Sequence, residues 1–140
     1  MSRLFVLVLL GIASGNSLAC KCANSSLGEE FAQAPIAFVG STTSDPSRPG
    51  NFGDTISFVV ARSLKGGFDA GASVAVDPMF GSDCTAPYFP GARLLVFAYP
   101  QRSGAPIVNA CSIRATEPVR LGQDVVQPSQ DVLDFLRSMP

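Results

Sequence analysis

The sequence predicts a mainly β protein: about five short strands in an antiparallel sheet, with a short N-terminal helix and a C-terminal helix. Several stretches alternate apolar and polar residues in the two-residue period of a half-buried strand. Only turn material separates one such stretch from the next, which favours antiparallel neighbours and allows closure into a barrel. The 140 residues carry no repeat and no low-complexity tract, so a single domain is expected.

The strands are predicted from their own residues and from the breakers between them. In the second strand Ile56, Phe58 and Val60 alternate with other residues until Gly66 and Gly67 end the pattern. The stretch "ARLLVFAY" is almost continuously apolar, which favours a strand buried on both faces, and it is too short for a core helix. The predicted strands cover 36–43, 55–65, 72–77, 92–99 and 106–113, with a loop over 44–54 that is dense in Pro, Gly, Asn and Asp.

Both helices have signals at their ends. Ser26 and Glu29 have the spacing of a capping box, so a helix is predicted over 26–34, ended by Pro35. The stretch "QDVLDFLRSM" places its apolar residues on one face, with an acidic residue early and Arg137 late, as the helix dipole favours. It predicts a second helix at 130–139.

The first 19 residues have the pattern of an export signal. A charged start is followed by an apolar run over 4–12 and by small residues that end at Ala19, as at a cleavage site. A membrane span is the alternative, but it needs about 20 apolar residues, and this run is shorter. We therefore expect a signal peptide at 1–19 and a mature domain at 20–140, located outside the cell or in a periplasm, with no transmembrane span.

The chain has four cysteines, at Cys20, Cys22, Cys84 and Cys111. An even number in an exported chain predicts two disulfides. Cys20 and Cys22 are too close in sequence to pair without strain, so each should bond to Cys84 or Cys111, and the residues leave those two connectivities open. A single zinc ion held by all four cysteines is an alternative, but structural zinc sites usually pair ligands as C-x(2–4)-C.

The composition excludes several classes of function. The chain contains no histidine, so the commonest general base and the usual imidazole metal ligand are missing, and we predict no enzyme and no cofactor. A net charge of −1 provides no basic surface for nucleic acid. The sequence places Lys65, Arg93 and Arg114 far apart, as expected of ordinary surface residues.

The order of several motifs resembles a known family. The "CKC" that would open the mature chain is followed by "EEFAQA", "PIAFVGSTT", "ISFVVARSLKGG", "DCTAPYFPGARLLVFAY" and "NACSI". This order is similar to the N-terminal domain of the tissue inhibitors of metalloproteinases and, more widely, to the netrin-like (NTR) module. The resemblance implies an OB-fold, which is a five-stranded Greek-key barrel, and the bridges Cys20–Cys84 and Cys22–Cys111.

The resemblance also implies an inhibitory edge formed by Cys20, Lys21 and Cys22. In the family, the free α-amino group and the carbonyl of the first cysteine chelate the catalytic zinc of a metalloprotease. Here those groups belong to Cys20. The side chain of the next residue, here Lys21, enters the main specificity pocket of the protease. The implied partner is a zinc metalloprotease, and the implied function is its inhibition.

The sequence departs from the family at some positions, and two alternatives stay open. Lys21 stands where the animal inhibitors usually have a small hydroxyl residue, and the family's third bridge is absent. The first alternative is a non-inhibitory NTR module that binds another extracellular or envelope protein through loops near Phe52 and Tyr88. The second is lipidation of Cys20, which would acylate the α-amine and exclude both chelation and the Cys20 bridge.

Overall fold

The computed structural model describes residues 20, 22, 24–43, 50–51 and 53–140, and it confirms the predicted fold class. A five-stranded antiparallel sheet is accompanied by one helix before it and one at the C-terminal end. The elements are α1 (Leu27–Gln33), β1 (Ile36–Thr42), β2 (Ile56–Lys65), β3 (Ser73–Val76), β4 (Arg93–Ala98), β5 (Ile113–Ala115), β6 (Val119–Leu121), β7 (Asp124–Val126) and α2 (Gln130–Ser138). In the described part of the chain, no helix is long and apolar enough to cross a membrane.

The sheet has the strand order β3-β2-β1-β4-β5, with β1 at its centre. β1 pairs with β2 and β4, and all four pairings are antiparallel. Gly40 permits the close approach of β1 and β2, because a Cβ there would lie 2.8 Å from the Val59 carbonyl oxygen. The register of the two strands shifts between Val39 and Gly40. A glycine at this point therefore leaves room for the β2 backbone where the register shifts.

The predicted strand at 106–113 is wrong except for its last residue. Ile107 makes only isolated bridges, parallel to Asp77 and antiparallel to Tyr99, and β5 begins at Ile113. Two local features prevent a continuous ladder. Pro106 has no N–H to donate. Asn109 turns the chain because its side chain accepts the Cys111 N–H at 2.8 Å.

The bridge between Asp77 and Ile107 joins the end of β3 to the segment that leads into β5. The Asp77 N–H donates to the Pro106 carbonyl at 2.8 Å, and the Val108 N–H donates to the Asp77 carbonyl at 2.9 Å. The end of β3 and the segment before β5 therefore meet at one point, although β3 and β5 are the two outer strands of the sheet. The OB-fold itself stays a prediction.

Two apolar clusters lie on opposite faces of the sheet, because successive residues of a strand point to opposite sides. Phe38 belongs to the larger cluster, and its ring meets those of Phe58 at 5.7 Å and Phe68 at 6.2 Å, edge to face. The second, which we call the helix-side cluster, consists of Ala34, Ala37, Val39, Leu95, Phe97 and Val132. Residues 94–98 of β4 are all buried and contribute to both clusters, as predicted for that strand.

Both helices pack on the helix-side cluster, and β2 supplies a cation to the C-terminal end of each. The Lys65 ammonium donates to the Phe31 carbonyl at 2.7 Å and to the Ala32 carbonyl at 3.1 Å, at the end of α1. The Arg62 guanidinium donates to the Met139 carbonyl at 2.7 Å, just beyond α2. Cations are favourable at these positions because the last carbonyls of a helix are unpaired and carry partial negative charge.

The N-terminal end of α1 is fixed by the predicted capping box. The Glu29 N–H donates to the Ser26 hydroxyl at 3.3 Å, and the Ser26 N–H donates to the Glu29 carboxylate at 2.7 Å. These bonds from Ser26 lower the pKa of Glu29 below its ordinary value. The helix therefore has a fixed start at Leu27, shortly after Cys22.

Candidate functional site

The two predicted disulfides are present and anchor the residues before α1. They join Cys20 to Cys84 and Cys22 to Cys111, with Cα–Cα distances of 4.9 and 5.4 Å. This is the pairing that the resemblance implies. We call residues 20–22 the N-terminal edge. Cys20 is half-buried and Cys22 is exposed, whereas Lys21 and residues 1–19 lie outside the described residues.

The loop that carries Cys84 is held by its own hydrogen bonds. The Met79 carbonyl accepts from the Ser82 N–H at 3.2 Å, from the Ser82 hydroxyl at 2.8 Å and from the Thr85 hydroxyl at 2.8 Å. Asp77 accepts the Met79 N–H at 2.8 Å, and Met79 has a left-handed φ of 60°. A non-glycine residue keeps a left-handed conformation only where the surrounding contacts hold it there. The loop is therefore well fixed, and Cys84 is a firm attachment point.

The turn that carries Cys111 is held by Asn109. The Asn109 side-chain oxygen accepts the Cys111 N–H at 2.8 Å and the Ser112 hydroxyl at 2.9 Å. The two attachment points are also joined to each other. The Ala110 N–H donates to the Cys84 carbonyl at 3.0 Å, so both halves of the N-terminal edge are fixed to one continuous support.

Arg114 links this support to helix α1. Its guanidinium donates to the carbonyls of Cys111 and Ile113 and to both carboxylate oxygens of Glu30, at 3.0 and 3.2 Å. The prediction that Arg114 is an ordinary surface residue is therefore wrong. Its partner lies 84 residues away, so sequence spacing carried no signal for the pair. Lys65 is likewise engaged, at the C-terminal end of α1.

The substitution Arg114→Met should lower the free energy of unfolding by about 1 to 2 kcal/mol, because it removes the guanidinium that binds the Glu30 carboxylate and the Cys111 carbonyl. Both side chains of this pair are at least two-thirds buried, at 29% and 12% exposed, which limits screening by water. Guanidinium chloride unfolding measures the loss.

The chain offers a matched control for this prediction. Arg137 pairs with Asp134 at 2.9 Å, but both side chains are more than half exposed. Arg137→Met should therefore cost no more than about 0.5 kcal/mol. Equal losses for the two variants would contradict the bracing role of Arg114.

A concave site of about 220 Å³ lies beside the N-terminal edge. Burial raises the pKa of the Tyr99 phenol, and the negative charge of Glu30 raises it further. We call this site the polar pocket; its lining consists of Cys20, Cys22, Ser25, Glu30, Gln33, Tyr99, Asn109, Cys111 and Ser112. No sequence pattern indicated it, because its residues come from four separate parts of the chain.

A metal site formed by the four cysteines is not present, because all four are in disulfides. Among the described residues, no group of three or more His, Cys, Asp or Glu side chains is placed to hold a metal ion. The Cys20 sulfur is bonded to Cys84, which is incompatible with a thioether to lipid in this structure. The sulfur atoms of Cys20 and Cys22 are therefore not free to bind a metal.

The other predicted binding residues lie away from the N-terminal edge. Tyr88 packs against the larger apolar cluster and meets the Phe80 ring at 6.1 Å. With Phe89 it lines a groove of about 580 Å³ that extends to the segment 117–122 around β6. Phe52 lies outside the described residues.

The comparisons with protein-family models, with curated proteins and with solved structures find no match for this chain. The fold and the site define a disulfide-bonded, mainly β protein with an anchored N-terminal edge. The resemblance to the netrin-like module and its inhibitors therefore remains the hypothesis that the motifs support.

Proposed function

We propose that this chain is an exported inhibitor of a zinc metalloendopeptidase and that it acts through the N-terminal edge after removal of residues 1–19. One observation carries the proposal: Cys20 and Cys22 are each bonded to a separate, hydrogen-bonded attachment point in the body of the domain. Such anchoring orders the edge before a partner arrives, so little conformational entropy is lost on binding. The location would be extracellular or periplasmic, where disulfides persist.

The chemistry of the edge suits a catalytic zinc. An α-amino group has a pKa of about 8, so near neutral pH it is mostly protonated but loses its proton readily enough to donate to a metal. A catalytic zinc keeps one coordination position open for water or substrate. In the proposed complex, the amine and the carbonyl of Cys20 occupy this zinc and displace its water. The Cys20 sulfur is used in the bridge, so it takes no part.

Lys21 restricts the choice of protease. In the proposed complex its side chain enters the specificity pocket, and an unpaired ammonium in an apolar pocket would cost several kcal/mol. We therefore propose a target whose specificity pocket contains an acidic side chain. The alternative function, a non-inhibitory interaction module, rests on the groove beside Tyr88, which lies outside the N-terminal edge.

The test is an N-terminal extension. Adding one alanine before Cys20 removes the free amine from Cys20 and leaves every other side chain unchanged. We expect inhibition of a zinc endopeptidase with an acidic specificity pocket to weaken by about a thousandfold, equivalent to about 4 kcal/mol of binding free energy. Inhibition constants for the mature and the extended protein measure the effect.

Two checks make the extension test decisive. Intact mass and circular dichroism should show that the extended protein keeps both disulfides and the same fold. Equal inhibition by the two proteins would show that the amine does not bind zinc. Inhibition by neither protein, over a panel of zinc endopeptidases, would favour the interaction module.

A further inference from the structure

The polar pocket contains hydrogen-bonding groups that the fold itself does not use. In the part of the chain that the structure describes, the Tyr99 hydroxyl and the Gln33 side-chain amide have no hydrogen-bond partner. Asn109 uses its side-chain oxygen for Cys111 and Ser112, and its NH₂ group is likewise unused. These groups line the same concave site as Cys20 and Cys22. A partner that docks on the N-terminal edge would cover them, and covering an unpaired polar group is costly.

The free groups are mainly donors. The acidic residue of the pocket, Glu30, already accepts two hydrogen bonds from Arg114 and one from the Ser25 hydroxyl at 3.4 Å. The Tyr99 hydroxyl, the Asn109 NH₂ and the Gln33 NH₂ can all donate. The pocket therefore fits a hydrogen-bond acceptor, and a cationic group would find the pocket's carboxylate already occupied.

The acceptor should be uncharged. Glu30 is negatively charged, and the residues that line the pocket with it include no lysine or arginine. A carboxylate placed among these donors would be repelled by the same charge. An amide oxygen accepts hydrogen bonds without that penalty. A volume of about 220 Å³ accommodates one such group rather than a folded segment.

We propose that the polar pocket binds one uncharged amide of the partner protein, either a backbone carbonyl or an Asn or Gln side chain, while the N-terminal edge binds the partner's zinc. This inference rests on the proposed function and adds a second point of recognition to it. Tyr99 is its central donor. Two points of contact restrict the orientations in which the partner can bind more than one point does.

The two tyrosines of the chain provide a matched pair of variants. Tyr99→Phe removes one hydroxyl from the polar pocket, and Tyr88→Phe removes one from the distant groove. We expect Tyr99→Phe to raise the inhibition constant by about fivefold, the effect of losing one neutral hydrogen bond, and Tyr88→Phe to leave it unchanged. Gln33→Ala should also weaken inhibition. Melting temperatures close to that of the parent protein would show that the fold is intact.

An unchanged inhibition constant for Tyr99→Phe would overturn the proposal, and so would an equal increase for Tyr88→Phe. Both outcomes differ from failure of the proposed function, in which the mature parent protein inhibits no zinc endopeptidase at all. In that case a titration without any protease decides about the pocket.

The titration uses acetylglycine N-methylamide as an uncharged peptide unit, followed by NMR on the ¹⁵N-labelled mature protein. Acetate and methylammonium serve as charged comparison probes. Saturable shifts of the Gln33 and Asn109 side-chain NH₂ signals with the amide probe, absent in Tyr99→Phe, would support the pocket. No saturable shift, or a larger shift with either charged probe, would overturn it.

Discussion

Removing either disulfide alone should lower the free energy of unfolding by about the same amount, about 3 to 4 kcal/mol. The two bridges span different lengths of chain, 64 and 89 residues. However, while one bridge remains, the other closes a shorter loop of roughly 30 residues, because Cys20 and Cys22 are only two positions apart and the path runs mainly from Cys84 to Cys111. Equal losses are therefore expected despite the unequal spans.

The measurement is guanidinium chloride unfolding of Cys20→Ala/Cys84→Ala and of Cys22→Ala/Cys111→Ala. The variant that lacks all four cysteines should lose about 8 kcal/mol, because its last bridge closes a long loop, and this is comparable to the whole stability of a domain. We expect it to be unfolded. If one of the two variants that lack a single bridge were much less stable than the other, the additional loss of stability would come from native contacts that depend on the bridge it lacks.

The same variants separate the roles of the two bridges in the proposed function. Loss of Cys22–Cys111 leaves Cys20 attached through Cys84, whereas loss of Cys20–Cys84 leaves residue 20 held only through Cys22. Inhibition should therefore fall further when the Cys20 bridge is removed, although the stabilities are alike. Equal inhibition by both variants would contradict the need for a fixed Cys20.

Most of the fold could be predicted because its signals are local. The capping box of Ser26 and Glu29 determines where α1 begins, and the alternation of Ile56, Phe58 and Val60 determines which face of β2 is buried. Such patterns involve residues that are neighbours in the element itself. The hairpin of β6 and β7 was missed although Gly122, with a φ of 61°, stands at its turn. All three residues of β7 are exposed, so no alternation of burial marked it.

The site could be predicted only as far as its cysteines. Their number and the export signal predict two bridges, but the connectivity depends on which attachment points the fold brings together. The contacts that organise the site are long-range. Glu30 and Arg114 belong to a helix and a strand that are separated by most of the domain, and the polar pocket gathers Gln33, Tyr99 and Asn109. The periodicity of a single sequence does not indicate which distant residues will be in contact.

Phe97→Ala should be the most damaging single substitution in the helix-side cluster, with a loss of about 3 to 5 kcal/mol in the free energy of unfolding. The Phe97 side chain is fully buried in β4, and its ring meets that of Phe135 from α2 edge to face at 6.4 Å. Phe135 in turn meets Phe31 from α1 at 5.6 Å. Truncation leaves a cavity where the two helices and the sheet meet, and none of the three can fill it without losing its other contacts.

Because the damage lies beneath α1, it should extend to the N-terminal edge. The Phe97 N–H donates to the Ser112 carbonyl at 2.9 Å, next to Cys111, so β4 supports the turn that holds the second bridge. Unfolding followed by far-ultraviolet circular dichroism measures the loss, and Phe97→Leu is the matched control, with a cost of about 1 kcal/mol because most of the volume is kept. In Phe97→Ala, hydrogen exchange should show that the Ala34 amide loses more protection than the Val60 amide, because Val60 lies on the other face of the sheet. A loss below about 1 kcal/mol for Phe97→Ala would contradict the packing of both helices on this ring. It would also contradict the role of β4 in supporting the N-terminal edge.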